Sequence, residues 1–369
     1  MARILLLHLA DSGHHAAARA IDAALKALHP GVQTHLVDPL ELAHPYFSAL
    51  IHKTYMALIR GTPELWDAMY DSVRLARLNR RVQWLRRRGQ SAAMRNLLGW
   101  FRPNAVVCTQ AYSFGVMSAY QERYGATFPL FGVVTDYRPH RFWVQDGTGR
   151  YLVPDEEAAQ RLVALGVAPG RILVCGIPIH PAFATVRPAD PPVETVPRIL
   201  VMGGSQGLGV RFATVRKLDR ATARFAVDVV TGHNRRLYRR LERTRLRFHH
   251  PLHVRGYVPH VADLMSRSRL LISKPGGLTC AEAMATGLPM LVVRPLPGQE
   301  SGNLEKLVRH GAALHLQADH EIPEAVDSLL AHPERLASMR RSALRLGRPT
   351  AAFDIARAVL TAIEKGAGA

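Results

Sequence analysis

The stretch Leu270-Leu271-Ile272-Ser273-Lys274-Pro275-Gly276-Gly277-Leu278-Thr279-Cys280-Ala281-Glu282 decides how this chain is read. An apolar run, a Gly-rich turn and then the Ala-containing segment Ala281 to Ala285 predict a short buried strand, a tight turn and the start of a helix. Gly276 and Gly277 carry no Cβ, so backbone N–H groups can approach an anion, and the positive end of the next helix would face it. A diphosphate is the natural guest. The competing reading makes Pro275-Gly276-Gly277 a plain turn and pairs Thr279 with Glu282 in a capping box. On this segment alone the two readings weigh equally. A second turn separates them: the strand Leu288 to Val293 ends in Arg294-Pro295-Leu296-Pro297-Gly298 and delivers Gln299, Glu300 and Asn303, side chains suited to sugar hydroxyls. Two adjacent strand ends would then line one cleft, where open α/β sheets bind ligands, and the pair reads as a sugar-nucleotide site.

Working outward, the same strand–turn–helix alternation fills the chain. At 369 residues it is long enough for roughly two domains. The first half opens with strand Arg3 to Leu7, a turn through Asp11-Ser12-Gly13 and an Ala-rich helix from about His14 to Leu28. Further strands are predicted at Thr34 to Val37, Ala105 to Cys108, Pro129 to Val134 and Arg171 to Cys175, with helices at Phe114 to Tyr124 and Glu156 to Leu165. Residues 177–197 hold Pro178, Pro181, Pro188, Pro191, Pro192 and Pro197, which exclude a helix or central strand and predict a linker. The second half restarts at strand Arg198 to Met202 with the turn Gly203-Gly204-Ser205-Gln206-Gly207. It continues through strands at Ala226 to Val230, near Val254, and at the two segments already described. Helices are predicted at Pro333 to Leu346 and Thr350 to Glu364. The domain plan is 1–176 for the acceptor and membrane side, 198–349 for nucleotide binding, and a terminal helix at 350–369 expected to pack back on the first domain. The architecture is α/β, two Rossmann-like doubly wound domains facing across a cleft.

Composition narrows the partners. A hydrophobic content of 48% with 21% charged residues belongs to a folded chain. No run approaches a membrane span, and the N-terminus lacks the long apolar core of a signal peptide. Cys108, Cys175 and Cys280 form no C-x-x-C pair, so neither a disulfide framework nor a zinc site is indicated, and a reducing cytoplasm fits. The formal charge of +19 implies anionic partners. From Arg60 to Arg102, Arg74, Arg77, Arg80, Arg81, Arg86, Arg87, Arg88 and Arg95 interleave with Trp66, Trp84 and Trp100. That pattern suits either a helix on an anionic membrane surface or an ordinary solvated helical face. Nucleic acid is not expected, since no nucleic-acid-binding signature accompanies the charge.

Taken in order, Ser12-Gly13-His14, Val133-Val134-Thr135-Asp136 with His140 and Trp143, Gly176-Ile177-Pro178-Ile179 with Pro181, Gly203-Gly204-Ser205-Gln206-Gly207 and the block Lys274 to Asn303 span most of the chain. In that order and spacing the sequence resembles the GT-B glycosyltransferases of the monogalactosyldiacylglycerol synthase and processive diacylglycerol glucosyltransferase group, relatives of MurG. The resemblance implies transfer of a glucose or galactose from a UDP-sugar to diacylglycerol or a glycosyl-diacylglycerol. It further implies inversion, no metal, no cofactor beyond the donor substrate, and peripheral attachment to the inner face of the cell membrane. No Asp-x-Asp pair of the metal-holding kind is present, which accords with it. The alternatives are MurG-like transfer of N-acetylglucosamine to a polyprenyl lipid and a UDP-sugar-sensing protein without turnover. Where the family shows a Gly-rich run before the histidine, this chain has Asp11-Ser12-Gly13, and Ser12 either tightens the turn or meets substrate.

An inverting transfer needs a base for the acceptor hydroxyl and a positive environment for the departing UDP. His14, at the end of the first strand, suits the base, and the resemblance points there too. Asp136 is either the base itself or the carboxylate that orients His14. Ser12, Gly13, His140 and Trp143 are assigned to the acceptor, with a core role for Trp143 equally open. Donor contacts are assigned to Gly204, Ser205, Gly256, Tyr257, Lys274, Gly276, Gly277 and Thr279. Glu282 is expected at the ribose hydroxyls, and Gln299, Glu300 and Asn303 at the hexose.

Overall fold

The computed structural model describes residues 1–9, 12–43, 92–186, 196–207, 209–296, 298 and 300–367. One unit comprises Met1–Pro181, Pro297–Gln299 and Thr350–Ala369, and the other Ala182–Leu296 with Glu300–Pro349. Among the described residues each unit carries one six-stranded sheet.

In the N-terminal unit β1 (Arg3–Leu7), β2 (Gln33–Val37), β3 (Ala105–Cys108), β4 (Leu130–Val133), β5 (Arg150–Val153) and β6 (Ile172–Val174) lie in the order β2-β1-β3-β4-β5-β6. All pairings are parallel. Parallel sheets are covered on both faces, which is why Ala105-Val106-Val107-Cys108 and Leu130-Phe131-Gly132-Val133 are apolar without alternation and wholly buried. One face carries the helix Gly13–Leu28, whose Ala17, Ala18, Ile21, Ala24 and Leu25 point inward at helical spacing. The C-terminal helix Ala351–Ala367 packs beside it, adding Ala352, Ile355, Ala356 and Val359 to the same core. The opposite face is filled by Phe114, Met117, Trp143 and Tyr151.

The C-terminal unit repeats the plan with β7 (Arg198–Met202), β8 (Ala226–Val230), β9 (Leu252–Arg255), β10 (Leu270–Ser273), β11 (Met290–Val293) and β12 (Ala313–Leu316), ordered β12-β11-β10-β7-β8-β9 and parallel throughout. The doubly wound class is therefore as read from the sequence. Two strands were not anticipated, β5 and β12. Each is four residues long, and each is defined by its neighbour, with Gly132 opposite Tyr151 and Leu291 opposite Leu314. The strand expected at Arg171 to Cys175 is shorter, because Pro169–Arg171 forms a 3-10 turn ahead of β6.

Strand order reverses direction between β1 and β3 in the first sheet and between β7 and β10 in the second, and ligands bind such sheets at the carboxyl ends beside this reversal. Residues 44–91, most of the basic Trp-containing region, and 187–195, the middle of the Pro-rich segment, lie outside the described residues. Of the basic region, residues 92–101 are helical; Phe101 is buried, while Trp100 is 70% exposed. Among the described residues no helix is long and apolar enough to cross a membrane.

Candidate active site

At the β7/β10 reversal three turns meet within the C-terminal unit. The first, Gly203 to Gly207, requires its glycines: Gly204 and Gly207 have φ of 73° and 63°, and a Cβ on Gly207 would lie 2.1 Å from the Thr231 carbonyl oxygen. This packing ties the turn to the one after β8, where His233 N–H donates to the Ser205 carbonyl at 2.8 Å. His233 also stacks on Tyr257, ring centroids 4.5 Å apart and nearly parallel, so the turns after β7, β8 and β9 form one surface. Tyr257 remains 47% exposed, and around Gly256 a side chain would meet open space.

The second turn follows β10. Its helix runs Gly277–Ala285 with Gly276 as N-cap, four residues earlier than expected, and this removes the capping-box reading of Thr279 and Glu282, which lie inside the helix. No side chain caps Gly276, so the first N–H groups of the helix keep their capacity for an anion. A Cβ on Gly276 would find only the tips of Glu300 and Lys274 at 3.5 and 3.6 Å. Glu282 sits one turn in, and burial pushes its carboxyl up to about 8.

The third turn, after β11, is clamped to the second. Lys274 forms an ion pair with Glu300, whose other oxygen accepts from Leu296 N–H at 2.9 Å. Asn303 Nδ2 donates to the Pro275 carbonyl at 3.0 Å, and both Glu300 and Asn303 are buried. Behind the turn Arg294, in the left-handed region with φ of 49°, binds Thr214 and Asp319. Lys274, assigned to the donor from the sequence, is paired to an acid here. Gln299 lies outside the described residues.

At the β1/β3 reversal of the N-terminal unit, Ser12 N-caps the helix Gly13–Leu28 and its Oγ donates back to Leu9 O at 2.6 Å, which tightens the turn. His14 occupies the first helical turn. Its Nδ1 lies 3.2 Å from Thr135 Oγ1, and Thr109 Oγ1 donates to its carbonyl at 2.9 Å. Desolvation holds the imidazole down at about 4, against an opposing hydrogen bond to the Thr109 backbone, so the ring is neutral at pH 7. His15 stacks on His8 at 4.4 Å. His140 is driven down to about 3 by burial, by His14 and by Arg161. Trp143 is 3% exposed and packs against Phe114 in the core, so it supports the His140 loop from beneath. His14, Thr135 and His140 are thereby gathered at one strand-end cluster, and Asp136 follows Thr135 in the chain.

Three participants were missed. Thr109 is the first residue past β3 at the reversal, a position the topology singles out once strand order is known. Thr135 stood beside Asp136 in the sequence block, yet it is the threonine that meets His14. His233 had no sequence signal, since its role depends on Tyr257 across a strand.

Residues 14–179 match the family model described as monogalactosyldiacylglycerol (MGDG) synthase, and residues 198–355 match the glycosyltransferase family 28 C-terminal domain. The chain is 31% identical over 252 residues to the processive diacylglycerol beta-glucosyltransferase of Bacillus subtilis, covering 65% of this chain and 64% of that protein. It is 25% identical to the protein of the same description from Bacillus cereus over 366 residues, 97% of this chain and 92% of the relative. The first of these matches therefore spans just under two thirds of the relative's length. Among solved structures, MurG of Acinetobacter baumannii superposes with a TM-score of 0.62 at 13% identity over 98% of this chain and all of the other. CalG4, the calicheamicin glycosyltransferase, gives 0.59 at 16% identity over 98% of both chains.

Proposed function

We propose that this chain, whose two halves match the monogalactosyldiacylglycerol synthase and glycosyltransferase family 28 C-terminal models, is a GT-B glycosyltransferase that transfers a hexose from a UDP-sugar to diacylglycerol or a glycosyl-diacylglycerol. The observation that carries the reading is the uncapped helix start at Gly276–Gly277 beside the β7/β10 reversal, with Lys274 next to it and close to Gly204 of the β7 turn. Backbone N–H groups and one ammonium there neutralise a diphosphate as it leaves, the role a metal plays in other transferases. Thr279 stands in the first turn of the same helix. Glu282 takes the ribose hydroxyls, and its protonated form both donates and accepts. Tyr257, backed by His233, offers a flat ring surface to the base, with Gly256 leaving space beside it. Glu300 and Asn303, buried and bound to Lys274, Leu296 and Pro275, fix the turn, and Gln299, the residue before Glu300, is assigned to the hexose.

In the N-terminal unit a neutral His14 accepts the proton of the acceptor hydroxyl as the new glycosidic bond forms, and Thr135 fixes the ring. His140 borders it, Ser12 and Gly13 shape the turn that carries it, and Asp136, the residue after Thr135, is assigned to orienting the ring or serving as the base in its place. The curated relatives are named beta-glucosyltransferases, and a beta product from an alpha-linked nucleotide sugar is an inversion. The exposed Trp100, with Arg102 next to it, supports docking of this unit on the anionic inner face of the cell membrane.

The test is transfer of labelled glucose or galactose from UDP-sugars to diacylglycerol in anionic vesicles, with and without chelator, and thin-layer separation of the lipids. A labelled glycolipid of beta configuration, unaffected by chelator, is the expected product. Transfer of N-acetylglucosamine to a polyprenyl lipid instead, or UDP binding without turnover on any lipid, would replace this reading.

A further inference from the structure

The loops that precede β8 and β9 form a second pocket on the C-terminal unit, at the strand ends opposite those that carry the donor turns. Its volume is about 410 Å³ and its lining is Arg216, Asp219, Arg220, Ala221, Arg247 and His249. Asp219 is the one acid among these, and it is committed: buried, its Oδ1 accepts from the backbone N–H groups of His249 at 2.9 Å and His250 at 3.1 Å and meets His250 Nδ1 at 3.3 Å. Arg216 lies 3.8 Å from the other carboxylate oxygen and over the Phe248 ring at 5.3 Å, so its guanidinium is held in place. Across the neighbouring Phe212–Phe248 pair, Arg240 sits 3.9 Å over the Phe212 ring and extends the positive field. Arg220 and Arg247 have no acid partner among the described residues.

Three guanidinium groups and an imidazole therefore converge on a cavity with a single, already satisfied carboxylate. Gathering like charges around a concave wall costs energy that a bound anion recovers, and pre-positioned guanidinium forks match phosphate oxygens in pairs. A phosphate group fits the volume and the charge. We propose that this pocket is a phosphate-binding site separate from the donor turns, its guest being free phosphate or a phosphate carried on a lipid headgroup.

The experiment is thermal unfolding of the full chain against inorganic phosphate at constant ionic strength, made up with chloride. The unmodified chain is expected to gain stability with phosphate, and the pair Arg220→Ala/Arg247→Ala to bind it about tenfold more weakly or worse. Arg220→Lys/Arg247→Lys, which keeps the charge but loses the fork, should fall between the two and serves if the alanine pair folds poorly. An equal response in all three chains overturns the proposal, as does a response that survives in the alanine pair and vanishes in Lys274→Ala. Sedimentation with phosphatidylcholine vesicles, with and without phosphatidic acid, then distinguishes the sources. Loss of phosphatidic-acid-dependent binding in the alanine pair assigns the lipid phosphate, and unchanged vesicle binding assigns the free ion.

Discussion

At His14 burial sets the protonation state of the ring, against an opposing hydrogen bond to the Thr109 backbone. Because its pKa is drawn down to about 4, the base form is populated throughout the neutral range, and the acid limb of kcat/KM should lie well below the ordinary histidine value of about 6.5. A profile that halves near 6.5 would contradict this. His14→Ala is expected to lower kcat by roughly 10²- to 10⁴-fold while UDP affinity, read by calorimetry, stays unchanged. Glu282 gives a complementary case in the other unit. Its carboxyl, pushed up to about 8, is mostly protonated at pH 7, so Glu282→Gln should keep UDP affinity within about threefold whereas Glu282→Ala should lose about tenfold. Both side chains were readable as candidates from their sequence blocks. Their charge states were not, because desolvation depends on what the remainder of the unit packs over them.

At the scale of the element, glycines that look alike in sequence have unlike work. Gly207 has a positive φ, and any Cβ there collides with the Thr231 carbonyl oxygen at 2.1 Å; Gly207→Ala should destabilise the C-terminal unit by about 2 kcal/mol or more, read from its thermal midpoint. Gly276 has an ordinary φ of −64° and no close neighbour, so Gly276→Ala should leave that midpoint nearly unchanged and weaken UDP binding by obstructing the helix start. Equal thermal loss in both would undo the distinction. The Gly-rich turns were visible from composition alone. The helix start at Gly277 was not, since the capping-box pattern of Thr279 and Glu282 offers an equally good local solution and only the packing of β10 against β7 and β11 selects between them.

On the scale of the whole molecule, each unit has its own pH response. His8, His14 and His140 are lowered to about 4, 4 and 3, so the folded N-terminal unit declines protons that the unfolded chain takes up near 6.5. Its stability is therefore present above that window and lost as pH falls from about 6.5 toward 4, by on the order of 1 kcal/mol per group per pH unit. Glu282 acts with opposite sign on the C-terminal unit, its contribution being present below 4.5 and lost as pH rises through about 8. Hydrogen exchange on mild acidification should thus show the N-terminal unit opening first. Removing residues 350–369 should cost that same unit roughly 3 to 6 kcal/mol, because Ile355 and Val359 are fully buried against Ile21 and its neighbours, while exchange in the C-terminal unit stays as before. By itself the sequence determined the doubly wound class, both Gly-rich turns and the histidine at the head of the first helix, because strand periodicity, glycine's missing Cβ and helix starts are local properties. Only the tertiary structure decided that Thr135 meets His14, that Lys274 pairs with Glu300, that His233 backs Tyr257 and that Arg216, Arg220 and Arg247 converge beside Asp219. Those contacts join segments far apart in the chain, and their register is set by how parallel strands align.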